Sequence, residues 1–146
     1  MAFQNILVPV DGSETSYAAV TQAAEFAKAF NSKITVVQVL VLDPYIAAEY
    51  ISASQTNDLI ERARTSILET LNDVKAKFNA SGIDVETKLL EGQVVHAEIA
   101  KAAQDVQADL IVIGSHGRTG IKKFFLGSVA QIVLGASDIP VLIIRK

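Results

Sequence analysis

The sequence predicts a doubly wound α/β fold, a parallel sheet of five strands with helices on both faces. Three observations carry that prediction. Short apolar runs alternate with longer stretches whose apolar residues recur at helical spacing, in the order β-α-β-α-β-α-β-α-β, and this alternation builds parallel sheets through right-handed crossovers. One run, Leu110, Ile111, Val112 and Ile113, has no polar alternation, as expected of a strand buried on both faces. A glycine-rich stretch leaves that run and enters a new helical pattern at Gly127 and Ser128. Open α/β sheets hold their ligands at such C-terminal strand ends.

The first strand is expected over Phe3 to Val10, with Ile6, Leu7, Val8 and Val10 as its apolar body. Pro9 cannot donate to a ladder, so it belongs at the C-terminal end of the strand. Asp11, Gly12 and Ser13 make a turn, and either Ser13 or Asp11 can cap a helix from Glu14 to Phe30. Val20, Ala23, Ala24, Ala27 and Phe30 form its inner face, and the alanines imply close packing on the sheet. Lys33 to Leu42 is a second strand, nearly continuous in Val, Ile and Leu and ended by Asp43 and Pro44. From Tyr45 to about Asn57 the periodicity is lost, which fits a mobile loop or a poorly fixed helix. A long helix then runs to Ala80, with Ile60, Ala63, Ile67, Leu71, Val74 and Phe78 inward and Ser81-Gly82 at its stop.

Asp84 to Leu90 alternates, with Glu86 and Lys88 on a wetter face, so the third strand is expected at a sheet edge, with Glu91 and Gly92 as its turn. Gln93 to Val106 reads as a helix with Val95, Ile99 and Ala103 inward. After the central strand and its glycine loop come a helix from Ser128 to Ala136 and a last strand, Val141 to Ile144. That strand is apolar throughout.

Bulk properties narrow the function. The 146 residues are 50% hydrophobic and 20% charged, with a net charge of -3, so a single soluble domain over residues 1–146 is expected, without the basic excess of a nucleic-acid surface. With no cysteine there are no disulfides and no thiolate metal or catalytic sites. The start lacks a signal-like basic region and no apolar stretch is long enough to span a membrane, so the expected location is cytoplasmic.

The glycine stretch carries the chemistry. Gly114, Gly117 and Gly120 follow the central strand, interleaved with Ser115, His116, Arg118 and Thr119, and Lys122 and Lys123 add positive charge. Glycines let a backbone approach an anion closely, successive N–H groups converge on it, and the following helix N-terminus favours negative charge. The same glycines could instead serve only a tight turn and close packing.

The spacing Gly114, two residues, Gly117, nine residues, Gly127 and Ser128 resembles the ATP-binding signature of the universal stress protein family. LVPVDGSETS from Leu7 and IPVLIIRK from Ile139 resemble that family's first and last strands, so the likeness covers both ends of the chain. The resemblance implies a Rossmann-like sheet of order 3-2-1-4-5, in which Asp11 and Gly114 flank one crevice. It implies that Pro9, Asp11 and Val39 receive the adenosine half of ATP, though Asp11 could be merely a helix cap and Val39 plain core. Gly114, Ser115, His116, Gly117, Arg118, Thr119 and Gly120 would line the ribose and phosphates. Gly127, Ser128 and the Val129 N–H would hold the outer phosphates, with Mg²⁺ arriving on the nucleotide. Ala130 stands where family members often carry a hydroxyl, so one phosphate contact is missing. The family likeness also implies a homodimer through Val141, Leu142, Ile143 and Ile144, because an apolar edge strand invites pairing with a second copy.

Other chemistries fail on spacing. The P-loop pattern, the G-x-G-x-x-G dinucleotide fingerprint and the G-x-S-x-G nucleophile elbow are all absent. A phospho-accepting domain would need an aspartate where Leu89, Leu90 and Glu91 stand. The resemblance implies an ATP-dependent dimeric switch in a stress response. Two alternatives stay open: a slow nucleotide hydrolase using His116 and Arg118, and a dimeric interaction module that binds no nucleotide.

Overall fold

The computed structural model describes residues 3–41, 53–116 and 127–145. Its elements are β1 (Asn5–Pro9), α1 (Glu14–Phe30), β2 (Lys33–Val41), α2 (Ala53–Ala80), β3 (Val85–Gly92), α3 (Val95–Asp105), β4 (Leu110–Gly114), α4 (Ser128–Ala136) and β5 (Val141–Ile144). The five strands form one sheet of order β3-β2-β1-β4-β5, and every neighbouring pair runs parallel, in the order that the family likeness implies.

Two cores lie on opposite faces of the sheet. Ile6, Val8, Ile34, Val36, Leu40 and Val112 point toward α1 and α2, where they meet Val20, Ala23, Ile67, Leu71, Val74 and Phe78. Leu7, Val37, Ile111 and Ile113 point the other way, against Ile99 and Ala102 of α3 and Val133 of α4. The period-2 alternation of strands thus divides the apolar residues between both helical layers.

The helix boundaries have local causes. Ser13 caps α1, its hydroxyl accepting from the Ser16 N–H at 3.2 Å, which decides the capping alternative in its favour. Asn31 ends α1 in the left-handed conformation, φ 56°, a conformation that Asn tolerates better than most residues. Gly82 follows α2 at φ 73°, where a side chain would be strained.

Some expectations need correction. β3 extends through Glu91 and Gly92, which pair with Leu40 and Val41 rather than forming a turn. Ala53 to Asn57 belongs to α2, while Leu42 to Ser52, most of the aperiodic stretch, lies outside the described residues. Phe30 is 43% exposed and not core, although its ring packs against Phe3 and Phe26. Ala102, not singled out by the pattern, is buried on α3. Among the described residues, no helix is long and apolar enough to cross a membrane.

Candidate functional site

The ladder between β1 and β4 pairs Ile6 with Leu110 and Leu7 with Ile111, and no pair beyond those. β2 and β3 leave β1 on one side, β4 and β5 on the other, so the strand order reverses here, where open sheets of this kind form a ligand crevice. The C-terminal ends of both strands flank a cleft of about 760 Å³. Pro9, Asp11, Val39, Gly114, Ser115, His116, Gly127, Ser128 and Val129 all line it. Gly117, Arg118, Thr119 and Gly120 lie outside the described residues, as do Lys122 and Lys123.

Each described residue is held by the fold. Pro9 closes β1 opposite Val37, and the Val10 N–H continues the ladder to the Val37 carbonyl at 2.8 Å, so the missing proline donor costs the sheet little. Asp11 accepts the Ser13 N–H at 2.9 Å through its carboxylate, which shapes the turn leading to α1. Ser115 is fully buried and anchors the cleft floor, its N–H donating to the Ile144 carbonyl at 2.8 Å. Its hydroxyl lies 2.9 Å from His116 Nδ1, and the His116 carbonyl accepts from the Thr15 hydroxyl.

Gly114 has a packing role of its own. A Cβ there would lie 2.9 Å from the backbone carbonyl carbon and oxygen of Thr15, so the end of β4 and the start of α1 meet only because Gly114 has no side chain. The close-packing reading thus accounts for Gly114 whatever the rest of the loop does.

The start of α4 is built differently. The Gly127 N–H already donates to the Ser115 carbonyl at 2.6 Å, so Gly127 brings no free donor to an anion. It fixes the entry of the helix instead. As N-cap it offers no side-chain acceptor, and the first turn carries no acidic residue. Among the described residues no side chain caps the opening N–H groups of α4, an arrangement that suits an anion, and the helix dipole adds to it. Ala130 is buried at the cleft wall, and no hydroxyl supplements the backbone donors at that position. Among the described residues there is no cluster of His, Asp or Glu able to hold a metal ion by itself.

Three contributors were not read from the sequence. Thr15 braces Gly114 and His116. Ser16, 4% exposed, lines the cleft from α1. Gln38 interrupts the apolar run of β2, and its Oε1 is buried with no hydrogen-bond partner among the described residues. An orphaned acceptor of this kind costs about 1–3 kcal/mol. The lone amide inside ITVVQVLVL was the available signal.

An open, all-parallel sheet of order β3-β2-β1-β4-β5 with a cleft at its switch point defines a doubly wound α/β protein. The universal stress protein family model matches residues 2–145, and the chain belongs to that family. It is 34% identical over 145 residues to a universal stress protein of Methanocaldococcus jannaschii, covering 99% of this chain and 83% of that relative. Its fold superposes on the solved hypothetical protein MJ0577 with a TM-score of 0.87, at 28% identity and covering 100% of this chain and 98% of that one. A universal stress protein solved in complex with cAMP matches at a TM-score of 0.75 and 28% identity, covering 99% of each chain.

Proposed function

We propose that this chain is a cytoplasmic, ATP-binding dimeric switch. The observation that carries the reading is the run of the cleft, from Asp11 and Val39 at the ends of β1 and β2 to the uncapped N-terminus of α4. Apolar walls and backbone edges suit an adenine ring, whereas a helix start without a capping side chain suits phosphate. The cAMP complex of a similar protein supports an adenine nucleotide as the ligand class. The outer phosphates would meet the Ser128 hydroxyl and the Val129 N–H, with Arg118 supplying charge and Mg²⁺ carried by the phosphates. Gly117 and Gly120 would let the loop backbone close on the ribose and phosphates.

Signalling in this reading is conformational. Nucleotide favours one arrangement of the rim, and a partner reads the changed surface, so the ligand must bind the two arrangements unequally. β5 supplies the dimer contact: Val141, Leu142, Ile143 and Ile144 are each half-buried in one copy and occupy a sheet edge. Ile143→Lys is expected to convert dimer to monomer in sedimentation velocity, and a parent protein that is monomeric at all concentrations would remove this part of the reading.

A slow hydrolase remains the second reading, favoured by one observation, the Ser115 hydroxyl beside His116 Nδ1. His116→Ala separates the two. A switch shows no turnover in either protein, whereas a hydrolase turns ATP over in the parent and loses that turnover in the variant. The binding reading itself is tested by Gly117→Val, which is expected to weaken ATP at least about tenfold, about 1.4 kcal/mol. Unchanged affinity would count against the loop as the phosphate site.

A further inference from the structure

A second cavity, of about 220 Å³, lies between α3 and α4 and shares only Ile99 with the cleft among the described lining residues. Small residues leave it open. Ala100 and Ala103 of α3 and Ala136 of α4 line it, and Ile99, Ile111 and Ile139 add apolar surface. Ile132, an apolar side chain left 41% exposed on α4, lines it too. An apolar cavity of about 150 Å³ admits a benzene ring, so a ring on a short tether matches this one in size.

The mouth of the cavity sets the charge of the occupant. Gln107, Ser137 and Asp138 line it just past the C-terminal ends of α3 and α4. A helix C-terminus carries partial negative charge, which Lys28 and Lys77 offset in the last turns of α1 and α2. The last turns of α3 and α4 hold no basic residue. The α4 carbonyls beyond Val133, whose oxygen takes the Ser137 N–H, receive no backbone N–H among the described residues. Asp138 adds a carboxylate that has no hydrogen bond or ion pair with a described residue. It is exposed, so it costs the free protein little. No Lys or Arg stands among the described lining residues, and Lys101, the lysine of α3, is exposed outside them.

The other polar groups select no sign. The Gln104 and Gln107 amides carry donors and acceptors alike. The Ser137 hydroxyl is engaged with the Ile139 carbonyl at 2.7 Å and the Ile139 N–H at 3.1 Å. His96 stands in the first turn of α3, about 14 Å along the helix from its last residue. A carboxylate and two negative helix ends therefore repel an anion and complement a cation.

We propose that the cavity between α3 and α4 is a second binding site, which takes a small hydrophobic amine, its apolar body between the helices and its ammonium at Asp138. The inference does not depend on nucleotide binding. The full chain is titrated with phenethylammonium chloride and followed through the backbone amide signals of α3 and α4 by NMR. Phenethyl alcohol, sodium phenylacetate and ammonium chloride are run in parallel. The expected result is a saturable shift around Ala103 and Ala136 with phenethylammonium and none with ammonium chloride. Phenethyl alcohol should bind about threefold more weakly, and phenylacetate at least about tenfold more weakly. Asp138→Asn keeps the shape of an exposed side chain and should weaken the amine about threefold while leaving the alcohol unchanged. Ala100→Leu adds bulk to the cavity from an exposed helical position and should weaken amine and alcohol alike at least about tenfold. The amide spectrum reports whether each variant keeps the fold. No saturable shift in the parent, phenylacetate bound as tightly as the amine, or parent-like amine affinity in either folded variant would overturn the proposal. Failure of ATP to bind leaves the amine titration fully readable, so the two readings fail separately.

Discussion

The two rims of the sheet treat their polar groups in opposite ways. At the N-terminal rim the chain satisfies itself. Asp109 accepts the Gln4 N–H at 2.8 Å and the Asn5 N–H at 3.0 Å through its two carboxylate oxygens, and its own N–H returns a bond to the Asn5 carbonyl at 2.9 Å. Lys33 donates to the Gln4 carbonyl at 2.8 Å, and Ile34 to the Asp84 carbonyl at 3.3 Å. At the C-terminal rim α4 starts without a side-chain cap and Gln38 keeps a buried oxygen without a donor among the described residues. Folding alone favours the first arrangement, because unmet hydrogen-bonding capacity is costly. The second is offset only if a ligand brings the missing partners, as the proposed function requires.

Substitutions at the two rims should therefore separate stability from affinity. The largest effect is expected from Gly114→Ala, which drives a methyl group into the Thr15 backbone and should cost about 1–3 kcal/mol in urea denaturation. Gly127→Asp should move the two properties in opposite directions. The backbone at Gly127, φ -63° and ψ 157°, accepts any residue, so a carboxylate there can cap α4 and stabilise the free protein by about 0.5 kcal/mol. The same carboxylate would occupy the anion site and weaken ATP at least about tenfold, read by titration. Asp109→Ala should do the reverse, losing about 1 kcal/mol of stability with ATP affinity unchanged. If it instead weakens ATP as much as Gly127→Asp does, the division between rims is wrong. Smallest of all is Arg64→Ala. Arg64 reaches Glu61 at 2.6 Å and also holds Glu91, tying α2 to β3, but the cluster is solvent-exposed and its loss should leave the midpoint of the same denaturation nearly unchanged.

The order of elements and both cores were legible in the sequence, because they rest on periodicity. Val20, Ala23, Ile67, Leu71, Val74 and Phe78 recur at helical spacing, and the buried β4 run has no polar interruption. Alternation and the glycine stretch put the cleft at the C-terminal strand ends, and its place between β1 and β4 followed from the family likeness. Less could be read where tertiary contacts override local pattern. The Glu91-Gly92 pair looks like a turn, yet it continues β3 because β2 offers it a partner strand. Phe30 keeps the helical phase but sits at the last turn of α1, beyond the sheet's cover. Nor could spacing reveal that Thr15 needs Gly114 bare, or that Ser115 takes the Gly127 N–H, since these are meetings of segments distant in sequence.

The most direct test of the central claim is a calorimetric titration of the purified protein with ATP in the presence of Mg²⁺, with AMP run alongside. The account predicts saturable binding near one ATP per chain and weaker binding of AMP, because the outer phosphates meet the start of α4. No binding of either nucleotide by protein verified to be nucleotide-free would contradict it, and the open rim would then belong to another ligand.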